Sequence, residues 1–159
     1  MNITFKLNGK EVTVETRPDK RLSSILRDNL NQKGVRKSCG NGHCGNCIVL
    51  INDELVSSCI IPAFAVRHKK IITIEGFSQT KEFTDILLGF KEAGVHLCTY
   101  CAPARVISTA YMLRKNMSPT EEQIMDNISA VQCRCSSFSL LKKGIIMASI
   151  NYKKRNING

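Results

Sequence analysis

The chain lacks a long apolar run, a recognisable catalytic constellation and more than a few aromatic side chains. No apolar stretch approaches the ~18 residues that cross a bilayer, and the chain does not start with the basic, apolar and small segments of a signal peptide. A cytoplasmic protein without a membrane span is therefore the default expectation. No Ser–His–Asp set, phosphate-binding Gly-Lys loop or paired carboxylate array emerges, so we expect no substrate chemistry on this chain.

Acidic side chains are also scarce, with 13 against 23 basic ones and a formal net charge of +10. Such a surplus raises the hypothesis of a nucleic-acid-binding protein. The basic residues are scattered, however, and only Lys153, Lys154 and Arg155 form a dense run. We therefore expect no nucleic-acid partner, and the surplus could instead serve docking against acidic protein subunits.

Cysteine, by contrast, is abundant: the chain has eight. Cytosolic thiols are kept reduced, so a disulfide framework is the weaker hypothesis. The eight fall into two groups of four, separated by nearly forty residues. The first quartet is Cys39, Cys44, Cys47 and Cys59, and the second quartet is Cys98, Cys101, Cys133 and Cys135. Two complete four-thiolate sets predict two metal centres.

The first quartet has the spacing C-x4-C-x2-C followed by a distant cysteine, which is typical of plant-type [2Fe–2S] ligand loops. Gly40, Gly42 and Gly45 separate its first three members within the stretch SCGNGHCGNC. Wrapping backbone around a compact inorganic core requires positive φ angles, which glycine adopts readily. Amides exposed in such a loop can point at the sulfurs of a negatively charged cluster. A [2Fe–2S] centre is the prediction for this loop.

The second quartet is spaced C-x2-C-x31-C-x-C. Its first pair alone could be a redox dithiol, but a thioredoxin-like site needs a βαβ context that this half of the chain does not display. Structural zinc, also held by four cysteines in many proteins, stays open as an alternative for both quartets. The corresponding function is a zinc-stabilised interaction module.

In residues 1–76 apolar and polar residues alternate in short runs, which is typical of a small β-rich domain. The pattern predicts a hairpin turning at Asn8-Gly9, a helix opened by Asp19 as its N-cap, and a strand over 48–51. It further predicts a strand over 55–61 that carries Cys59 and a last strand over 71–74. The helix would pack an apolar stripe on the sheet, formed by Leu22, Ile25, Leu26 and Leu30. This order of elements predicts an N-terminal β-grasp, ferredoxin-like domain.

Residues 77–159 change to helical periodicity. Four helices are predicted: one ending at Gly94, one opened by Pro103, one capped by Ser118, and one over about 137–150. The cysteine pairs fall at the connections between the first and second and between the third and fourth helices. Antiparallel packing in a four-helix bundle would bring both connections to one end. The fold class is therefore α+β, a β-grasp domain followed by an all-helical domain.

With both quartets in place, the chain resembles the small iron–sulfur subunit of the molybdenum hydroxylases, the xanthine dehydrogenase, aldehyde oxidoreductase and carbon monoxide dehydrogenase family. The motifs that carry the resemblance are CGNGHCGNC with Cys59, then CTYCAP, then QCRCSS. Their order and spacing are more specific than any one motif, and the resemblance covers almost the full chain.

The resemblance implies two [2Fe–2S] clusters and an electron-transfer role. The second quartet would hold the inner cluster, nearest a molybdenum–pterin cofactor on a separate large subunit. The first quartet would hold the outer cluster, which passes electrons to FAD on a medium subunit. Substrate hydroxylation in the family takes place at molybdenum, so this subunit would be non-catalytic.

The sequence departs from the family pattern around the second quartet. Leu97 stands where the family has a glutamine that approaches the pterin, Thr99 replaces a glycine, and Ala102-Pro103-Ala104 replaces Thr-Pro-Gly. After Cys135 the chain continues Ser136-Ser137-Phe138 instead of Thr-Gly-Tyr. All eight cysteines are present, whereas Leu97 cannot make the polar contact of the glutamine.

Overall fold

A computed structural model describes the whole chain, which divides into two units, Met1–Phe77 and Ser78–Gly159. The strands are β1 (Asn2–Leu7), β2 (Lys10–Glu15), β3 (Ile48–Ile51), β4 (Glu54–Ser57) and β5 (Lys70–Ile72). They form one sheet in the first unit, ordered β2-β1-β5-β3-β4. β1 and β5 run parallel, whereas the other neighbours are antiparallel. This mixed sheet confirms the β-rich first half.

The first hairpin follows the predicted pattern. Ile3, Phe5 and Leu7 point into the core from β1, as period-two alternation requires. Asn8 and Gly9 form the turn with φ angles of 48° and 86°, a conformation that Asn and Gly tolerate better than other residues.

The helix that crosses the sheet begins later than predicted. It comprises α1 (Leu22–Ser24) and a π-helical turn, Ile25–Asn29, and its N-cap Arg21 contributes no side-chain hydrogen bond. The prediction that Asp19 caps the helix is wrong, because the Asp19 carboxylate is instead engaged by Arg17 at 2.6 Å. The predicted apolar stripe is nevertheless packed on the sheet: Leu22, Ile25 and Leu26 are buried, and Leu30 packs against them.

Two strand ends also differ from the prediction. β4 stops at Ser57, and Cys59 lies in a 3-10 helix, Ser58–Ile60. The Ser58 hydroxyl donates to the Cys47 carbonyl at 2.7 Å, which turns the chain out of the strand. β5 stops at Ile72, and Ile74 begins a short helix, α2 (Ile74–Phe77).

The second unit contains four helices: α3 (Lys81–Glu92), α4 (Ala102–Lys115), α5 (Glu121–Ser129) and α6 (Phe138–Asn158). α3 packs along α6, and α4 lies against both α3 and α5. Thr120 rather than Ser118 caps α5, so that part of the prediction is wrong, and α6 runs eight residues beyond the expected end at 150. No helix combines the length and apolarity that crossing a membrane requires.

Candidate metal centres

The first quartet is assembled from the loop that precedes β3 and from the 3-10 helix that follows β4. Cys47 directly precedes β3, so the sheet holds one end of the loop. Cys44, Cys47 and Cys59 are buried and Cys39 is exposed, and none of them is in a disulfide. Sheet and loop thus bring together cysteines from two separate stretches of the chain.

Backbone amides point at the sulfurs of this quartet. The Gly42 N–H donates to the Cys59 Sγ at 3.2 Å, the Cys44 N–H to the Cys39 Sγ at 3.3 Å, and the Cys59 N–H to the Cys47 Sγ at 3.4 Å. Such donors stabilise negative charge on sulfur. The loop conformation depends on positive φ angles of 70°, 79° and 73° at Gly40, Gly42 and Gly45. The predicted role of the glycines is therefore confirmed.

Arg21 holds this loop and was not identified from the sequence. The Arg21 Nη1 donates to the Gly40 carbonyl at 2.6 Å. A Cβ at Gly40 would lie 2.7 Å from the Arg21 Nη1. The Arg21 backbone forms an isolated antiparallel β-bridge with Pro62, three residues after Cys59. Its side chain therefore braces the cysteine loop from the N-cap of α1.

The metal-free thiols of the first quartet differ in acidity. Hydrogen bonds from the Asn41 and Cys44 amides lower the pKa of the exposed Cys39 thiol to about 6. Burial raises the pKa of Cys59 to about 11, and the hydrogen bond with Cys47 adds to that rise. A cation bound among these sulfurs would favour the thiolate of both.

The second quartet gathers at the α3–α4 and α5–α6 connections. The Cys101 Sγ lies 3.2 Å from the Sγ of Cys98, 3.2 Å from that of Cys133 and 3.4 Å from that of Cys135. The Cys133 and Cys135 sulfurs are 3.0 Å apart. These separations exceed the roughly 2.05 Å of a disulfide bond. The sulfurs of Cys98, Cys101 and Cys135 all lie within 4.8 Å of one another, and that of Cys133 lies close to two of them. Free thiols from two distant stretches of the chain are therefore brought together.

A surface cavity of 460 Å³ opens onto these sulfurs, and Tyr100, Gln132 and Arg134 form part of its wall. Leu97 is half-buried and lines a neighbouring cavity with Phe90, Val95 and His96. The His96 side chain is exposed, while its carbonyl accepts the Ser136 hydroxyl at 3.0 Å. That bond ties the stretch before Cys98 to the stretch after Cys135.

The thiols of the second quartet are also unequal. Burial raises the pKa of Cys101, and hydrogen bonds with Cys133 and Cys98 raise it further. For Cys133 burial acts in the same sense, but hydrogen bonds from Cys135 and Cys101 outweigh it and lower the pKa. Cys101 and Cys133 therefore titrate as a coupled pair.

Arg105 lies beside this quartet and is fully buried. It sits one helical turn after Cys101, whose carbonyl accepts the Arg105 N–H at 3.0 Å. Burial lowers the pKa of Arg105, and negative charge on Cys133, Cys101 and Cys135 opposes that decrease. In the sequence Arg105 is a charged side chain four positions after a candidate ligand, and that spacing alone does not predict its burial.

The residues present fit a four-thiolate metal group in both units. Each unit gathers four free cysteines, with amide donors to sulfur in the first and a sulfur-lined cavity in the second. Both [2Fe–2S] and tetrahedral zinc use such a donor set. Geometry alone therefore leaves the metal open.

Comparison with known proteins favours a [2Fe–2S] group over zinc. The model of a 2Fe-2S iron-sulfur cluster binding domain matches residues 5–70, and that of a [2Fe-2S] binding domain matches residues 73–156. The Nicotinate dehydrogenase small FeS subunit of Eubacterium barkeri is 33% identical over 138 residues, 87% of this chain and 88% of that protein. A probable xanthine dehydrogenase subunit of Bacillus subtilis (strain 168) is 32% identical, covering 96% of this chain and 85% of the relative.

The fold has a solved counterpart in quinoline 2-oxidoreductase from Pseudomonas putida 86. The two superpose with a TM-score of 0.87 at 24% identity, over 98% of this chain and 96% of the other. The first unit therefore has a ferredoxin-like fold. With its two matched domains and relatives that are FeS subunits, the chain belongs to the small [2Fe–2S] iron–sulfur subunits of the molybdenum hydroxylase family of oxidoreductases.

Proposed function

We propose that the chain carries two [2Fe–2S] clusters and relays electrons from a molybdenum–pterin subunit to a flavin subunit. The observation that carries this proposal is the presence of two four-cysteine sets, one in each unit, in a chain without another candidate active site. Each such cluster accepts and releases one electron, which is the chemistry that a relay requires.

Cys39, Cys44, Cys47 and Cys59 would hold the outer cluster. The amides of Gly42, Cys44 and Cys59 already donate to sulfur in this loop. Hydrogen bonds of this kind, together with burial, tune the potential of iron–sulfur centres. Cys39 is the exposed member, and we propose that the flavin subunit docks on its side.

Cys98, Cys101, Cys133 and Cys135 would hold the inner cluster, in a four-helix bundle that delivers all four thiols to one end. The sulfur separations of 3.0 to 3.4 Å support this set. The domain limits follow: residues 1–76 for the outer cluster and 77–159 for the inner one. The half-buried Leu97 beside the inner set would give the pterin side an apolar contact.

In this proposal the chain itself has no substrate site. The names of the relatives assign nicotinate and xanthine dehydrogenase activity to complexes of which they are subunits. By analogy, the partners are a large molybdenum-cofactor subunit and a medium FAD subunit. The surplus of basic side chains suits docking against acidic partner surfaces.

Anaerobic purification of the full chain tests the proposal. We expect a red-brown protein with about four iron and four sulfide per chain that becomes paramagnetic on reduction. Cys47→Ser and Cys135→Ser form a matched pair, because each removes one sulfur from one quartet. Each should retain about two iron and two sulfide, and the two variants should keep different EPR signals.

The zinc-stabilised module is the alternative, since four thiolates also bind zinc. A colourless preparation that contains zinc and no sulfide would overturn the electron-transfer proposal. A variant pair that loses all iron together would contradict the assignment of one cluster to each quartet.

A further inference from the structure

Arg105 is the largest fully buried side chain of the protein. Its guanidinium donates to three backbone carbonyls: Nη1 to Asn127 at 3.0 Å and Ile128 at 3.1 Å, and Nη2 to Ile128 at 3.1 Å and Val131 at 2.7 Å. Its buried Nε–H donates to no protein acceptor. A guanidinium is always charged in proteins, so a full positive charge lies inside the helical unit.

No carboxylate compensates this charge. The ion pairs of the protein involve other basic residues. The groups whose negative charge acts on Arg105 are the sulfurs of Cys133, Cys101 and Cys135 when they are deprotonated. A buried charge without an opposite charge destabilises the folded protein. Neutral carbonyls reduce that cost but do not cancel the charge. The second quartet is therefore the only nearby source of compensation.

Arg105 also connects the two parts of the chain that supply the quartet. Its own helix α4 begins directly after Cys101, and the carbonyls that it binds end α5 and lead into Cys133. The guanidinium thus fixes the end of α5 relative to the start of α4. Replacing it would disturb the spacing between Cys101 and Cys133 as well as the local charge.

We propose that Arg105 is a positioning residue and the internal counter-charge of the metal group held by the second quartet. This inference rests on the proposed function. A [2Fe–2S] group with four thiolates has a formal charge of about −2 when oxidised and about −3 when reduced. A fixed positive charge nearby stabilises the more negative form more strongly. Arg105 therefore raises the reduction potential of the inner cluster.

The test is a dithionite redox titration of the full chain, purified anaerobically and followed by EPR. Cys135→Ser identifies which of the two signals belongs to the second quartet. Arg105→Gln should lower the potential of that signal, so that the ratio of reduced to oxidised cluster at a fixed potential falls about tenfold, or about 59 mV for a one-electron couple. Arg105→Lys keeps the charge and should stay within about threefold of the wild type, or about 28 mV. The other signal is the internal control.

Equal potentials in the wild type and Arg105→Gln would overturn the inference, as would a lysine variant shifted as far as the glutamine variant. If Arg105→Gln fails to assemble clusters, Asn127→Asp replaces it. This isosteric change adds a negative charge to the residue whose backbone carbonyl accepts Nη1, and it removes the side-chain N–H that donates to the Ser108 carbonyl. It should lower the same potential, so an unchanged potential would overturn the inference. Iron and sulfide are measured first in the wild-type chain. A wild-type chain without them contradicts the proposed function and not the role of Arg105.

Discussion

Individual cysteines of one quartet occupy very different environments. Cys39 is exposed and receives amide hydrogen bonds, whereas Cys59 is buried behind the loop. In the metal-free chain these surroundings separate the two thiol pKa values, about 6 against about 11. Metal binding must deprotonate both, so at pH 7 Cys59 releases a proton that Cys39 has already lost.

The low pKa and the exposure of Cys39 make it a reactive thiol. In metal-free protein at pH 7, iodoacetamide should alkylate Cys39 before Cys59, because the thiolate is the nucleophile and Cys39 is already ionised. Its rate should fall as the pH drops through about 6 and stay level above pH 7. Peptide mass mapping at timed intervals measures both residues. A rate for Cys39 that keeps rising to pH 9 would contradict the expected acidity.

At the residue scale, the sequence predicts the candidate ligands better than the residues that hold them in place. Cysteine spacing and loop glycines are local patterns, so all eight cysteines could be named in advance. Arg21 and Arg105 act across the fold, on carbonyls distant in sequence. No local pattern specifies such a contact. Arginine is common on surfaces, and only the packed structure identifies one that is buried.

Among the elements, α3 and α6 approach closely where Gly89 of α3 faces the backbone of α6. A Cβ at Gly89 would overlap the backbone N and Cα of Ala148 and lie 2.8 Å from the Met147 carbonyl carbon. Backbone atoms cannot rotate away as a side chain can, so the helices would have to separate.

We expect Gly89→Ala to lower the free energy of unfolding of the helical unit by about 1–3 kcal/mol, the usual range for overpacking. Helix propensity alone would raise the free energy of unfolding by about 1 kcal/mol with alanine. The sign of the measured change therefore shows whether overpacking or helix propensity dominates. Chemical denaturation followed by circular dichroism measures it. Lys91→Ala, an exposed site on the same helix, is the control and should change little.

The start of α5 depends on a reciprocal pair. The Thr120 hydroxyl accepts the Gln123 N–H at 3.2 Å, and the Gln123 side chain accepts the Thr120 N–H at 2.9 Å. Thr120→Ala should destabilise the protein by about 1 kcal/mol, whereas Thr120→Ser should not. Ser118→Ala removes the cap predicted from the sequence and should change the stability less than Thr120→Ala. Thermal unfolding of the three variants measures these differences. A larger loss with Ser118→Ala would refute the cap seen in the structure.

Element types were more predictable than their ends. The hairpin, β3 and the four helices of the second unit follow from period and turn residues. The element ends that were predicted wrongly lie where a side chain binds another partner. Asp19 pairs with Arg17 instead of capping the helix. The Ser58 hydroxyl binds the Cys47 carbonyl where β4 ends. Thr120 has the same cap chemistry as Ser118, and only the Gln123 contact makes it the better cap.

For the whole molecule, metal loading should change the net charge. The formal charge is +10 with neutral thiols, and two four-thiolate [2Fe–2S] groups would reduce it by about four units. Loaded protein should therefore elute from a cation exchanger at lower salt than metal-free protein. A Cys47→Ser, Cys135→Ser double variant, treated identically, controls for effects of the loading procedure. Coincident elution of loaded and metal-free wild type would contradict the charge assigned to the sites.

The pairing of β1 with β5 imposes an order on biosynthesis. β1 is translated before the other strands of its sheet, yet Lys6 pairs with Lys70 and Leu7 with Ile71. Contacts of such long sequence separation form late, because a long loop must close first. The entire first quartet is translated inside that loop, so its thiols are available to a cluster donor while the sheet is still open. Sheet closure then follows, and it would seal an inserted cluster against the newly completed core.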